Sequence, residues 1–467
     1  MGEIITLHIG QAGVGIGEAF WEELIREHNL TLSPGGGLFH QDGPSSDPKT
    51  AGSGSQLAGH SYLNSFFHEN RDGNFVPRSL FVDLDGSSLD AVKKGSLKGV
   101  FSQVTGFVGG KEDASDNYVR AHYTIGKETV DPVLNNIRRM AESTDILSAF
   151  MLTHSVCGGT GSGFTALLQE RLSVDYGKKI KFNATLVPCA HPSVNVLSDY
   201  NSILAIHSLL EHSDLTVMLQ NDSIYNILKY NLDIEEPSFK NANKLIARYL
   251  VDLTSGMRRV NKSGRQSLQD MGSSLLPYPR IHFLTGSQSP WVSKDREHQG
   301  DPSVQEITAN IFEPLNCLSS VPILKSKLIS SALVYRGDIP QSEAVMGLYQ
   351  YHSSSSILSR SGWCPTSFKV IHTEGSMAKK GSTDVAATRF SVSALTNSTG
   401  VDGIFKSVAN RFDILYAKRA FVHWYVGEGL SEGFFGEARE DLAALCKDYE
   451  EVQTETQDGG DELPEDL

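Results

Sequence analysis

Long apolar runs are missing: nowhere do about eighteen apolar residues follow one another, so no membrane-spanning helix is expected. The N-terminus, MGEIITLHIG, lacks the basic-then-apolar pattern of a secretory signal, so secretion is not expected either. Cysteine is sparse and unpaired in pattern. Cys157, Cys189, Cys317, Cys364 and Cys446 are scattered and form no CxxC, which excludes a disulfide framework and points to reduced thiols in the cytoplasm. Basic charge is also short, with 41 Lys plus Arg against 55 Asp plus Glu and a net charge of -14, which disfavours nucleic acid as a partner. What remains is a 467-residue chain with 39% hydrophobic and 21% charged residues, enough apolar surface for two or three packed domains.

The pattern along the chain alternates strand and helix signals. Ile4 to Ile9 reads as a strand that breaks at Gly10 and continues with helical spacing through Phe20, Trp21, Leu24 and Ile25. Residues 30 to 62 are rich in Gly, Ser and Pro and read as a long, mobile surface loop. Strand-like runs recur at 79–83, 149–153 and 184–187, each followed by a loop and a helical stretch. Such alternation predicts an α/β protein with a parallel sheet. Residues 238 to 259 read as an amphipathic connector helix into a second domain, and 390 to 450 as strongly helical. No basic residue follows Lys447, which predicts a solvated acidic tail. The expected division is 1–237, 238–390, 391–450 and a tail from 451 to 467.

Two glycine-rich loops carry the chemistry. Ser155-Val156-Cys157-Gly158-Gly159-Thr160-Gly161-Ser162-Gly163 lies between an apolar strand and a helix, where converging amide donors and a helix N-terminus favour phosphate. No GK[ST] follows, so it is not a Walker A loop. The first turn, Gly10-Gln11-Ala12-Gly13-Val14-Gly15-Ile16-Gly17, has the same strand-to-helix setting. Two such loops on one sheet edge point to a nucleotide, whereas glycines that merely shape tight turns are the plainer alternative. A nicotinamide oxidoreductase would need an acidic ribose contact and a catalytic dyad that the sequence does not supply.

GQAGVGIG together with CGGTGSG resembles the phosphate loops of the tubulin family of GTPases. The resemblance runs on through FVDLD (81–85), AHYTIGKE (121–128), LLPYPRIHF (275–283), LVYRGD (333–338) and AKRAFVHWYVGEG (417–429). The last of these, RLSVDYGKK and the long loop between Phe368 and Asn397 are similar to the α type. The resemblance implies a Rossmann-like GTPase domain, a second α/β domain and a C-terminal helical region with an acidic tail.

It also implies site residues. Gln11, Ser155, Gly159, Thr160 and Gly161 would hold the phosphates of GTP, Asn221 and Asn243 would read guanine, Phe239 would stack on it, and Asn201 would lie on the adjoining helix. Asp85 would sit beside Mg²⁺, with Asp83 before it on the strand and Asp113 and Asp116 near the terminal phosphate. Asp270 stands where the α type has the glutamate that positions water on the next subunit's nucleotide, one methylene shorter. Departures accompany these matches: Gly15 stands for glutamine, Cys157 for the first signature glycine, Asp116 for asparagine, and Val194 and Ser198 for threonine and glutamate. Lys49 lies in the long early loop, and the chain ends without a terminal tyrosine.

The implied function is a structural GTP-binding protein of the cytoplasm and cytoskeleton that co-assembles with a β-type tubulin in microtubules or a centriole, basal body or cilium. The drifted positions fit a divergent α-like or specialised zeta-type paralogue. Its tail would dock basic motor or accessory proteins, and neither nucleic acid nor membrane is an expected partner. The competing expectation is a non-polymerising regulatory or adaptor protein with weakened hydrolysis.

Overall fold

A computed structural model describes residues 2–32, 37–40, 63–70, 73–102, 105–189, 195–258, 266–294, 302–337, 339–354, 368–373, 385–386 and 388–454. Lys49, Val194, Cys364 and the tail beyond 454 lie outside these.

The strands are β1 (Glu3–Ile9), β2 (Leu30–Leu32), β3 (Leu38–His40), β4 (Phe67–Glu69), β5 (Phe75–Pro77), β6 (Ser79–Asp83), β7 (Phe107–Gly109), β8 (Leu147–Ser155), β9 (Ile180–Leu186), β10 (Leu215–Leu219), β11 (Phe283–Ser289), β12 (Leu328–Gly337), β13 (Phe368–Thr373) and β14 (Phe390–Ser398). Ten of them form one sheet in the order β13-β12-β14-β11-β10-β9-β8-β1-β6-β7, and β2 to β5 form a small antiparallel sheet. Every pairing in the large sheet is parallel except those of β14, which runs antiparallel to both β11 and β12.

Helices connect and cover the strands: α1 (Gly10–Glu27), α2 (Gly86–Lys94), α3 (Ile125–Glu142), α4 (Thr165–Asp175), α5 (Ser198–His212), α6 (Asn221–Asn226) and α7 (Phe239–Leu253) in the first half. The second half adds α8 (Ser255–Arg258), α9 (Leu268–Leu275), α10 (Val304–Asn310), α11 (Gln341–Ser354), α12 (Asp402–Tyr416), α13 (Val422–Gly427) and α14 (Gly433–Thr454). Alternation along the buried strands decides which helix covers which face. Ile4, Ala149 and Met151 pack with Phe20 and Trp21 of α1 and Leu245 and Leu250 of α7. Ile5, Leu7, Phe150 and Leu152 face the other way, onto Val133 and Ile137 of α3 and Leu168 and Leu172 of α4. A further core joins α5 to α12 and α14 through Tyr200, Phe405, Leu442 and Tyr449, beside Phe283 and Leu333 of the sheet.

The structure adjusts several expectations. The early loop is not uniformly irregular, because Leu30–Leu32 pairs with Leu38–His40. The connector helix is α7 followed by the short α8. The division drawn at 390/391 cuts β14, a strand held between β11 and β12 whose Val392 and Ala394 are buried in the core. Its alternating apolar and hydroxyl residues suit a sheet interior, so helical character begins only after it, with a 3-10 turn at Thr399–Val401 that leads into α12. The last helix runs to Thr454, past the expected start of the tail. Among the described residues no helix is long and apolar enough to cross a membrane.

A buried ionic cluster ties the halves together. Arg336 of β12 pairs with Glu27 of α1 at 2.8 Å and with Asp252 of α7, and Gln288 of β11 donates to Asp252 at 2.7 Å. Arg258 of α8 reaches the same Glu27 at 3.0 Å and donates to His28 Nε2 at 2.8 Å. These side chains are almost wholly buried, so removing one partner strands a charge in the interior. Arg336→Met is expected to cost about 3–5 kcal/mol, read as a lower urea midpoint; an unchanged midpoint would show that water reaches Glu27 and Asp252.

Candidate functional site

The parallel strands end together where their following loops converge. Chain reversal after β1 uses Gly10 at φ +71°, a conformation that glycine adopts without steric cost. From there α1 lies directly on the sheet: a Cβ at Gly13 would collide with the Thr153 carbonyl, and one at Gly17 with the His8 ring. His8 is fixed from both sides. Trp21 Nε1–H donates to its Nε2 at 3.2 Å, so Nδ1 carries the proton toward Thr153 Oγ1 at 2.7 Å, and Thr153 donates on to the Gly13 carbonyl at 3.1 Å. Burial pushes the His8 pKa down to about 3, so this bridge is neutral and structural.

Beside it, β8 leads into the loop Gly158 to Gly163. A Cβ at Gly10 would lie 3.1 Å from Gly161 N and 3.6 Å from Thr160 Cβ, so the first turn and the signature loop touch. The signature loop is held from beneath by His154, whose Nδ1–H donates to the Gly161 carbonyl at 2.9 Å while Nε2 accepts from Thr185 at 3.1 Å. Ser162 Oγ closes the turn on the Gly158 carbonyl at 2.5 Å, and Ser155 Oγ accepts from Cys157 N at 3.2 Å. The α4 N-terminus follows this loop, an arrangement that favours an anion in front of it.

A cleft of about 810 Å³ opens at this end of the sheet. It is lined by Gln11 and Gly15 of α1, Asn221 at the start of α6, and Phe239, Lys240 and Asn243 of α7. Four expected ligand residues, Gln11, Asn221, Phe239 and Asn243, therefore meet in one cavity. Phe239 is 70% exposed, an aromatic face with little protein over it. Ser155, Gly159, Thr160 and Gly161 belong to the loop that touches Gly10, next to the Gln11 end of the cleft.

Asn201 is placed differently. It is fully buried, its Oδ1 accepts from Tyr118 N at 3.2 Å and Tyr425 OH at 2.8 Å, and its Nδ2 donates to the carbonyls of Asp116 at 2.7 Å and Cys157 at 3.0 Å. An asparagine amide has about that much bonding capacity in all. Asn201 thus fastens the Asp116 loop, the signature loop and α13 to one another. No sequence signal separates such a clasp from a ligand.

The acidic residues form a rim. Asp85 caps α2, accepting from Ser87 N at 3.1 Å and from the Ser87 hydroxyl, contacts that hold its carboxyl below the usual range. Asp83 is buried, and burial pushes its carboxyl upward against the hydrogen bonds from Ser88 Oγ at 2.5 Å and Asp85 N at 3.4 Å. Ser87 and Ser88 line the cleft, so Asp85 stands at its α2 wall. Asp116 adopts φ +54° and is exposed, and a Cβ at Gly158 would lie 3.8 Å from its Oδ1. Among the described residues no group of three or more His, Cys, Asp or Glu could hold a metal ion. Asp85 at the α2 wall and Asp116 beside Gly158 are the carboxylates nearest these loops in the described structure.

Asp270 is not in the cleft. It sits in the first turn of α9, where Gly272 faces Leu215, the first residue of β10, and the Leu275 carbonyl accepts from Ser330 near the start of β12. Those are the beginnings of parallel strands, whereas Asn221 follows the end of β10. The carboxylate forms a capping box with Ser267: Ser267 N donates to it at 3.0 Å and Asp270 N donates to Ser267 Oγ at 3.0 Å. Lys369 Nζ donates to the Asp270 carbonyl at 2.5 Å. The Ser267 contacts, and then the Lys369 charge, hold this carboxyl below the usual range.

A doubly wound sheet with a glycine-loop cleft at the carboxyl ends of its strands is the architecture of a nucleotide-binding α/β protein. Residues 3–229 match the Tubulin/FtsZ family, GTPase domain, and residues 279–410 match the Tubulin C-terminal domain. The chain is 40% identical over 468 residues, all of both chains, to the tubulin alpha-1B chain of Physarum polycephalum. It belongs to the tubulin family.

Tyr425→Phe, which removes one bond to Asn201, is expected to cost about 1 kcal/mol in urea unfolding; no cost would mean that the clasp holds without α13. Ser267→Ala is expected to raise the Asp270 pKa toward the ordinary value near 3.9. The folded-state depression contributes stability that is present above that value and lost as pH falls through the folded pKa. A carboxyl titration by NMR that does not move in Ser267→Ala would remove the capping box as the cause.

Proposed function

We propose that this chain is an α-like, GTP-binding cytoskeletal subunit that assembles head to tail with a β-type tubulin into microtubules or a microtubule-based organelle. The observation that carries the reading is polarity: the cleft and Asp270 occupy opposite ends of one sheet. Stacking subunits along that axis puts Asp270 of one against the nucleotide of the next. Trp424, 60% exposed at the cleft end, offers apolar surface for such a contact. Trp424 belongs to this end because its carbonyl accepts from Asn117 Nδ2 at 3.3 Å, beside the Asp116 loop.

In this reading Gln11 and the loop from Ser155 to Gly161 hold the phosphates, and Asn221, Asn243 and Phe239 read and stack on guanine. Asp85 would hold Mg²⁺, which would supply positive charge against the phosphates, and Asp116 lies in the loop beside Gly158. Asn201 positions the two loops. Asp270 orients water toward the partner's nucleotide. The acidic stretch after Lys447 suits basic motor or accessory proteins. The cytoplasmic cytoskeleton is the proposed location, with centriole or basal body as its specialised form.

One observation favours a second reading, a non-polymerising regulator with weakened hydrolysis. The Asp270 carboxylate is already engaged by Ser267 and its pKa is depressed, both of which weaken it as a base.

Native purification followed by denaturation and chromatography is expected to release stoichiometric GTP, and Asn221→Ala to release less. With a β-type partner and GTP the chain should sediment, and Asp270→Asn should slow hydrolysis on the order of 10²-fold. A folded chain that is empty and stays in the supernatant sinks the polymer reading in favour of the regulator.

A further inference from the structure

The helix that carries Asp270, α9, has eight residues, too few to be stable in isolation, so its position depends on its neighbours. Leu268, Met271 and Leu275 recur at helical spacing and are buried, which leaves Asp270, Ser273 and Ser274 exposed. Its C-terminal end is tied to the sheet, where the Leu275 carbonyl accepts from Ser330 Oγ at 2.7 Å and from Asn397 Nδ2 at 3.1 Å. The first turn has its own tether. Lys369, the second residue of β13, donates from Nζ to the Asp270 carbonyl at 2.5 Å and to Ser274 Oγ at 2.9 Å. Ser274 Oγ donates to that same carbonyl at 2.7 Å, and Ser273 Oγ adds a longer bond to it at 3.2 Å.

A cation in this place gains nothing from the helix itself. The field of a helix favours anions at its first turn and cations at its last, so an ammonium on a first-turn carbonyl needs another source of stabilisation. Asp270 provides it. Ser267 first, and then Lys369, hold the Asp270 carboxyl in its charged form, while burial pushes the Lys369 ammonium downward against the opposing effect of the Asp270 charge. One side chain from another element thus holds the backbone of Asp270 and favours its carboxylate. That element is the edge strand β13, which pairs within the large sheet only with β12, where Lys369 lies opposite Ala332.

We propose that Lys369 is a positioning residue for hydrolysis at the subunit contact: by holding the Asp270 carbonyl, directly and through Ser274, it fixes the direction in which Asp270 aligns water on the neighbouring subunit's nucleotide. This rests on the assembly reading above and extends it to the residue that sets Asp270. Without Lys369 the first turn of α9 is freer to shift, and a displacement of about 1 Å near the reacting atoms is enough to cost substantial rate. Arginine is also cationic and long enough to reach the Asp270 carbonyl and Ser274, so it keeps the tether.

The test uses the full chain assembled with a β-type partner and GTP, and it reads phosphate release per assembled subunit, so that a change in the extent of assembly does not enter. Lys369→Met is expected to slow release about tenfold and Lys369→Arg to stay within about threefold of wild type. Ser274→Ala, at an exposed helix position, is expected to give a smaller loss in the same direction, and it keeps the test decisive if Lys369→Met does not fold. In the Asp270→Asn background Lys369→Met is expected to change the rate by less than about twofold, because a residue that acts through the carboxylate has nothing left to act on. Equal slowing with and without the Asp270 carboxylate, the same loss in Lys369→Arg as in Lys369→Met, or full activity in both Lys369→Met and Ser274→Ala overturns the proposal while leaving the assembly reading intact. A wild-type chain that does not assemble, or assembles without releasing phosphate, overturns the reading beneath it.

Discussion

The seating of α1 on β1 and β8 is the contact from which the rest of the site is built. Helix and sheet approach so closely that at Gly13 backbone meets the Thr153 backbone and at Gly17 it meets the His8 ring, with no helix side chain between them. The cost of two glycines in a helix is about 1 kcal/mol each, and a neutral bridge from Trp21 through His8 and Thr153 to the Gly13 carbonyl sits at the same place. That seating fixes Gly10 against Gly161, which brings the two glycine loops together, and it turns the stripe from Gln11 to Glu22 toward α2 and α7 as one wall of the cleft. A helix held farther off the sheet would leave the two loops facing separate spaces.

The far end of the same helix carries the second constraint. Glu27 enters the buried cluster with Arg336, Arg258 and, through Arg336, Asp252. One helix therefore contributes the first glycine turn at its start and the link to β12 at its end. The sheet is continuous across this region, since β10 pairs with β11 and β14 bridges β11 to β12. The chain reads as domains in sequence, but its strands and charges join them.

How much of this was legible in the sequence depended on whether the signal was local. β6 was readable to the residue because a short apolar run between polar residues has few other interpretations. β14 was not, because its alternating Ser, Ala, Thr and Asn gain strand character only from burial between β11 and β12. The glycine loops were legible through spacing, and of the residues that line the cleft Gln11, Asn221, Phe239 and Asn243 were named through resemblance. Their directions were not. The resemblance placed Asn201 beside the nucleotide, yet its amide is engaged by Asp116, Cys157, Tyr118 and Tyr425, contacts 44 to 224 residues away in the chain. The α1 stripe was present as spacing, but only the position of α2 shows that it faces a cavity.

Asp270 shows how the same group reads differently at two levels. As a residue type it keeps the acid that the resemblance requires. In the fold its carboxylate completes a capping box, and the Ser267 donors and Lys369 stabilise its charged form. A carboxylate so stabilised is a poor proton acceptor, because a base that is easily satisfied as an anion has little drive to take a proton. It remains a good acceptor of hydrogen bonds from water, and it lies on the surface at the end of the sheet where a stacked neighbour would arrive. Within the proposed assembly, its contribution is therefore orientation and electrostatic alignment of water. The shorter aspartate places that influence closer to its own helix.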